Sequence, residues 1–283
     1  MISLLKKMIK SRKYIIVSGA SNDFVKGTEF IFTNSKRISD MYDIVVVKYR
    51  DKKYVLKCVG NDEWDVVKYL IAKKEKCEQL IEFFACIRKG NKKYVLMQYG
   101  EIDLREYYDI NPYYDADVFS VMELCFELQR WTIKNLHLVH TDFKLNNLIR
   151  IGNGNDNSVK IIDLELMDPA DGTHRPDLVA LRKKDVDNGM NPRRKCNYQQ
   201  FGVFSIIIIM MELLSVSDSL ISGRSSDDYL YDILDDLSFF DAYPKLLEYC
   251  KKVLRLEYDD LETAYQDFVK IKISEFDDRF VLD

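Results

Sequence analysis

The chain has no cysteines in close succession. Its six, Cys58, Cys77, Cys86, Cys125, Cys196 and Cys250, are scattered, and no two form a C-x-x-C unit. The three histidines do not complete a zinc pattern with them, so a structural zinc module is not expected. Reduced, mostly structural thiols in a cytosolic-type compartment are the expectation. Long apolar runs are also missing. The most apolar stretch, Val203 to Leu214, contains Ile206-Ile207-Ile208-Ile209, yet falls short of the roughly 20 residues a membrane-spanning helix needs. It reads as a buried helix. A large excess of charge of either sign is missing too: the formal net charge is −4, which gives no global reason to expect a nucleic-acid partner. Met1 to Lys10 is basic and amphipathic but lacks the apolar core and cleavage site of a secretory leader. No membrane span and a cytoplasmic location are therefore expected. Met1 to Lys13 reads as a solvated arm, or as one that docks on the body or a partner. There is no repeat or low-complexity linker, and 283 residues suffice for one large domain or two lobes.

The first hundred residues are rich in short apolar, β-branched runs. Phe30–Thr33, Ile44–Tyr49, Tyr54–Cys58, Phe83–Ile87 and Tyr94–Tyr99 read as strands, separated by polar clusters such as Asp51-Lys52-Lys53 and Gly90-Asn91. One helical stretch, about Asp62 to Leu80, places Val66, Val67, Leu70 and Ile71 at helical spacing. After Asp103 the pattern turns helical. Asp117 to Asn135 aligns Val121, Cys125 and Leu128, and helical patterns resume near Tyr198. Strands with one helix, then mostly helices, make an α+β chain of two lobes joined near Tyr99 to Asp103.

The helical half is interrupted twice. His140-Thr141-Asp142-Phe143-Lys144-Leu145-Asn146-Asn147 reads H-x-D-x-K-x-x-N, and Val159-Lys160-Ile161-Ile162-Asp163-Leu164 is an apolar strand ending in an acid. Singly, an Asp, Lys or Asn in a loop is usually solvated or turn-forming, and a lone His140 is usually structural. In combination and in this order they resemble the catalytic loop and metal-binding turn of eukaryotic-type protein kinases. The likeness covers roughly Phe30 to Lys272. It is similar, more weakly, to the casein kinase and vaccinia-related kinase group through Leu246–Cys250 and Leu256–Tyr265.

The resemblance implies a bilobal protein-kinase-like fold. One domain would fill 1–283, with an N-terminal extension (1–29), an antiparallel-sheet N-lobe with one helix (30–100) and a mainly helical C-lobe (101–283). It implies transfer of the γ-phosphate of ATP, with Mg2+ or Mn2+, to hydroxyls of a protein substrate, with Lys144 supporting serine or threonine rather than tyrosine as the acceptor. Asp142 would orient the acceptor hydroxyl and take its proton, and Lys144 would face the transferred phosphate. Asn147 and Asp163 would give oxygen ligands to the metal. Tyr54-Val55-Leu56-Lys57 resembles the V-A-I-K strand, with Lys57 at the α- and β-phosphates. Met97 would be the gatekeeper, Gln98 and Tyr99 would offer backbone groups to adenine, and Asp103 could approach the ribose. Asn197-Tyr198-Gln199-Gln200-Phe201-Gly202 would open the large central helix, with Asn197 where many relatives have Asp. Compactness and divergence also fit a viral member acting in host cytoplasm.

The sequence departs from the family at several points. No glycine lies from Thr33 to Asp43, where the phosphate-cradling loop belongs; Lys36 and Arg37 are the positive charges there. The D-F-G element is Asp163-Leu164-Glu165, and Thr141 replaces the arginine of H-R-D, which argues against control through an arginine-bound phosphate. No A-P-E element is evident; Asn191-Pro192-Arg193-Arg194 falls in that region. Glu63, Asp65 and Glu75 are open candidates for the acid pairing with Lys57. Two other readings stay open. One is a pseudokinase that binds partners, favoured by the glycine-free loop. The other is a small-molecule phosphotransferase, because Ile162-Asp163-Leu164-Glu165 also resembles the I-D-x-E turn of aminoglycoside and choline kinases.

Overall fold

A computed structural model of the chain describes residues 14–20, 23–27, 29–30, 35–39, 43–74, 76–152, 158–174, 196–217, 234–235 and 237–277. Met1 to Lys13, Glu75 and Asn191 to Arg194 lie outside the described residues. The chain divides into two compact units, Met1–Ile102 with Ile149–Leu166, and Asp103–Leu148 with Met167–Asp283. The architecture is α+β, an antiparallel sheet with a helix followed by a more helical part.

The first unit is built on β1 (Tyr14–Gly19), β2 (Glu29–Phe30), β3 (Ser35–Ser39), β4 (Ile44–Tyr49), β5 (Lys52–Cys58), β6 (Phe83–Lys89) and β7 (Lys92–Gln98). They form one sheet in the order β2-β1-β6-β7-β5-β4-β3. Tyr14–Gly19, inside the stretch read as an extension, is instead a sheet strand paired antiparallel with β6. Of the expected Phe30–Thr33 strand only Phe30 is described, at the end of β2. Ser35–Ser39, within the region expected to cradle phosphate, pairs with β4 through a register irregularity between Arg37 and Ser39.

Period-two alternation sends Tyr54 and Leu56 of β5 to one face and Val55 and Lys57 to the other. The first face joins Ile16, Phe24, Val47, Ala85, Ile87, Tyr94 and Leu96 in an apolar core. Helix α1 (Asn61–Lys73) buries Trp64, Val67, Leu70 and Ile71 and packs against β6 and β7. It stops earlier than the apolar pattern predicts, because Lys74 turns into the left-handed region (φ 56°) and its N–H closes on the carbonyls of Ile71 and Leu70. Strands β8 (Ile102–Asp103), β10 (Leu148–Ile151) and β11 (Ser158–Ile161) make a small sheet in the order β11-β10-β8. Ile161 is fastened to the approach to β6: its N–H reaches Gln79 O at 2.7 Å and its carbonyl accepts from Ile81 N at 3.0 Å.

The second unit contains α2 (Leu104–Ile110), α3 (Asp115–Leu136), β9 (Leu138–His140), β12 (Met167–Pro169), β13 (Thr173–His174), β14 (Cys196–Asn197), α4 (Tyr198–Ser217), α5 (Phe239–Ala242), α6 (Pro244–Leu254) and α7 (Leu261–Glu275). The apolar run expected to be a buried helix is α4, in which Val203, Ile206, Ile207, Ile209, Met210, Leu213 and Leu214 are buried. Among the described residues no helix is long and apolar enough to cross a membrane. Gly202 lets α4 approach β9, since a Cβ there would lie 2.6 Å from Val139 Cγ1. Phe119, Phe126 and Phe268 stack between α3 and α7. The carboxylate of Glu275 accepts from the N–H groups of Lys245 and Leu246 at 2.8 and 3.0 Å, capping the first turn of α6.

Candidate functional site

In the first unit, Lys57 sits one residue before the end of β5, on the sheet face that α1 covers. Helix α1 begins after only Val59 and Gly60, so its first turn is over the strand that precedes it. That places Glu63 beside Lys57: Nζ lies 3.1 and 2.9 Å from the two carboxylate oxygens. Asp65, one of the other candidates, is exposed. Short sequence spacing does not prevent the pairing, because almost no loop has to be crossed.

The same ammonium lies 2.9 Å from Asp163 Oδ1. Asp163 follows β11 and takes a left-handed backbone (φ 70°), which suits a residue at a sharp turn. Its Oδ1 also accepts from Glu165 N at 3.2 Å, and Leu164 N donates to Glu63 Oε1 at 3.4 Å. Leu164 is buried and Glu165 exposed. Helix, strand and turn thus meet on one nearly buried lysine.

Burial works against the charge on Lys57, but Glu63 and Asp163 outweigh it and hold its pKa above the ordinary lysine value. Burial pushes the Glu63 carboxyl up. Lys57 and the Leu164 amide pull it down, and Asp163 adds to the rise. The cluster is thus one ammonium held between two carboxylates, of which Glu63 is the one that burial disfavours.

Met97 is buried in β7 between Val55 and Phe83 of the neighbouring strands. The N–H of Gln98 donates to Glu82 O at 2.9 Å, so that donor is spent inside the sheet; a ligand there would be left the carbonyl. The ring of Tyr99 carries Lys53 Nζ at 4.9 Å from its centroid.

In the second unit, the loop after β9 carries Asp142, Lys144 and Asn147. Lys144 Nζ pairs with Asp142 Oδ2 at 2.6 Å. Asn147 closes a single 3-10 turn (Leu145–Asn147). Its N–H donates to Lys144 O at 2.9 Å, and its Nδ2 donates to Asp142 O at 3.1 Å. With Nδ2 so used, the remaining side-chain atom is an oxygen acceptor, the type a hard cation needs. Asp103 does not stand clear as a ligand group. It caps α2 by accepting from Glu106 N at 2.9 Å, and its other oxygen accepts from Asn146 Nδ2 at 3.4 Å.

The loop is braced by Gln129 and Glu212, which the motif does not contain, and by its own His140 and Phe143. Gln129, fully buried on α3, accepts from His140 N at 2.9 Å and donates to His140 O at 2.5 Å. The buried His140 ring stacks on Phe143 with centroids 4.6 Å apart, and its Nδ1 accepts from Asp142 N at 3.3 Å. Glu212 of α4 accepts from Leu145 N at 2.9 Å. A polar Gln129, four residues beyond Cys125 on the apolar stripe of α3, was the one signal in the sequence for such a brace. Glu212 had none.

Among the described residues no three or more His, Cys, Asp or Glu side chains gather as a metal site. A magnesium ion keeps most of its waters and takes one or two protein oxygens with substrate phosphates; Asp163 in the first unit and Asn147 in the second each carry an oxygen of that type. No model of a known protein family matches the chain, and no curated protein is significantly similar to it.

Proposed function

We propose that this protein is a divergent Ser/Thr protein kinase of protein-kinase-like fold, transferring the γ-phosphate of ATP to a protein hydroxyl. One observation carries the reading: the buried Lys57 holds two carboxylates, Glu63 from the helix after its strand and Asp163 from a turn distant in sequence. A lysine kept charged between two acids has little value as a fold stabiliser, because desolvation offsets much of the attraction. It makes sense as a fixed cation for a polyanion, with the acids setting its position.

In this reading Lys57 binds the α- and β-phosphates and Glu63 orients it. Asp163 and Asn147 would hold Mg2+ or Mn2+, which when bound offsets phosphate charge. Asp142 orients the acceptor hydroxyl and receives its proton as the new P–O bond forms. Lys144, now paired with Asp142, is positioned to exchange that partner for phosphate oxygen. The fixed backbone of Gln98 and the buried Met97 are the adenine contacts, with the Gln98 carbonyl as acceptor. A location inside the cell agrees with the scattered placing of the six cysteines.

The exposed Glu165 favours one second reading, a small-molecule phosphotransferase, because an acid two residues after Asp163 could bind a cationic acceptor. Radiolabelled transfer from ATP with magnesium or manganese separates the readings. Casein, the protein itself, small alcohols and amino sugars are offered as acceptors, beside Asp142→Asn. Label on protein that disappears in the variant supports the kinase. Label only on small acceptors supports the alternative. Nucleotide binding without any transfer means a binding module and ends the proposal.

A further inference from the structure

Thr141, which stands where the likeness predicts an arginine, is tied into a network the motif does not foresee. Its hydroxyl donates to Asp168 Oδ2 at 3.0 Å. Asp168 lies in β12, opposite Val139 of β9 in an antiparallel pair that also sets Met167 against His140. The carboxylate takes a second hydroxyl, that of Tyr198 at the start of α4. Tyr198 is fixed in turn: its N–H donates to Gly172 O at 3.2 Å, and its ring fills the space beside Gly172, where a Cβ would come within 2.4 Å of the ring edge. Gly172 follows β12 closely, and its own N–H reaches Pro169 O at 3.1 Å.

We infer that Asp168 is a positioning residue for the proposed transfer, holding Asp142 in register through the Thr141 hydroxyl, with Tyr198 as the second anchor of the same carboxylate. The inference rests on the kinase reading for its catalytic meaning, but the tether itself does not. Thr141 is the immediate neighbour of Asp142. The opposite side of the loop is already pinned by Gln129 at His140 and by Glu212 at Leu145, so Thr141 is where the loop meets β12. Two neutral hydroxyls on one carboxylate supply the anchor without any added charge. The loop therefore needs no phosphate on this chain to hold its shape.

The test uses the full chain and four variants: Thr141→Ala, Thr141→Ser, Asp168→Asn and Tyr198→Phe. The first readout is hydrogen exchange of the amides from 140 to 147, which requires no activity. The expected result is faster exchange in Thr141→Ala and Asp168→Asn, near-normal exchange in Thr141→Ser, and an intermediate rate in Tyr198→Phe. The second readout is steady-state transfer. Here kcat should fall about tenfold to a hundredfold in Thr141→Ala and Asp168→Asn with KM for ATP little changed, as a misplaced reacting group does, and Thr141→Ser should recover it. Wild-type protein treated with phosphatase should keep its rate. Exchange unchanged in all four variants overturns the tether. Altered exchange with equal loss in Thr141→Ser and Thr141→Ala also overturns it, because the hydroxyl would then not matter. Absence of transfer in the wild type overturns the kinase reading alone and leaves the exchange result to decide the tether.

Discussion

Gln129 holds both backbone groups of His140 with its one side-chain amide, donating to the carbonyl at 2.5 Å and accepting from the N–H at 2.9 Å. The amide is fully buried, so no water can replace it if it is lost. Gln129→Leu therefore leaves a buried N–H and C=O without partners. We expect a loss of about 2–4 kcal/mol, since each unmet group costs roughly 1–3 kcal/mol. Urea denaturation followed by circular dichroism measures it. A loss below half a kilocalorie, as for an ordinary surface change, would remove Gln129 from the support of the loop.

Gly202 tests the same brace from the other side. A methyl group there would lie 2.6 Å from Val139 Cγ1 and 2.8 Å from Gln129 Nε2. Gly202→Ala should destabilise by about 1–3 kcal/mol through overpacking, despite the better helix propensity of alanine. Combined with Gln129→Leu its cost should be clearly less than additive, because both act on one contact. Strict additivity in the double variant would mean that the two residues do not share a site.

The lysine cluster makes a pH prediction. The folded-state pKa of Lys57 lies above its ordinary value of 10.5. Its contribution to stability is thus complete below that value and is lost as pH rises through the folded one. Wild-type stability should fall at the alkaline end by an increment that Lys57→Met lacks. At neutral pH Lys57→Met leaves Glu63 buried beside Asp163 with no counter-charge, and should cost about 3–5 kcal/mol. Glu63→Gln should cost less, since it removes a carboxylate that burial disfavours. A parallel alkaline slope in wild type and Lys57→Met would refute the assignment.

The cysteines divide by burial. Cys86, Cys125, Cys196 and Cys250 are buried, whereas Cys58 and Cys77 are partly exposed. Burial pushes the Cys86 thiol up to about 12, with Lys68 opposing and Asp65 adding slightly, so it stays protonated and unreactive. Iodoacetamide under native conditions should label Cys77 and Cys58 first and reach the other four only on unfolding. Mass spectrometry of tryptic peptides reads the order. Native labelling of Cys125 or Cys250 at the rate of Cys77 would contradict the packing.

Alternating β-branched residues made β4 to β7 visible in the sequence, and the uniformly apolar Val203 to Leu214 announced a buried helix. Strand β1 escaped because Tyr14-Ile15-Ile16-Val17 follows a basic stretch that reads as a solvated arm; only pairing with β6, distant in sequence, makes it a strand. The acid partner of Lys57 stayed open for a related reason. Spacing rules assume a loop between strand and helix, and here Val59 and Gly60 are all there is. Asp142, Lys144, Asn147 and Asp163 were singled out because the proposed phosphoryl transfer would account for their order. Gln129, Glu212 and Asp168 were not, since a brace is defined by what it touches in space.

The brevity of the Val59–Gly60 link limits how the Lys57–Glu63 pair can come apart. Val59 is itself held, its N–H donating to Lys93 O at 3.0 Å, and Gly60 is already the N-cap of α1. There is no slack for the whole helix to swing while β5 stays in place. Separation must come from fraying of the first helical turn, where Glu63 sits and where helices open most readily. The ion pair then works as a gauge of whether that turn is wound, and its lifetime should follow local helix opening rather than the slower movement of a rigid body.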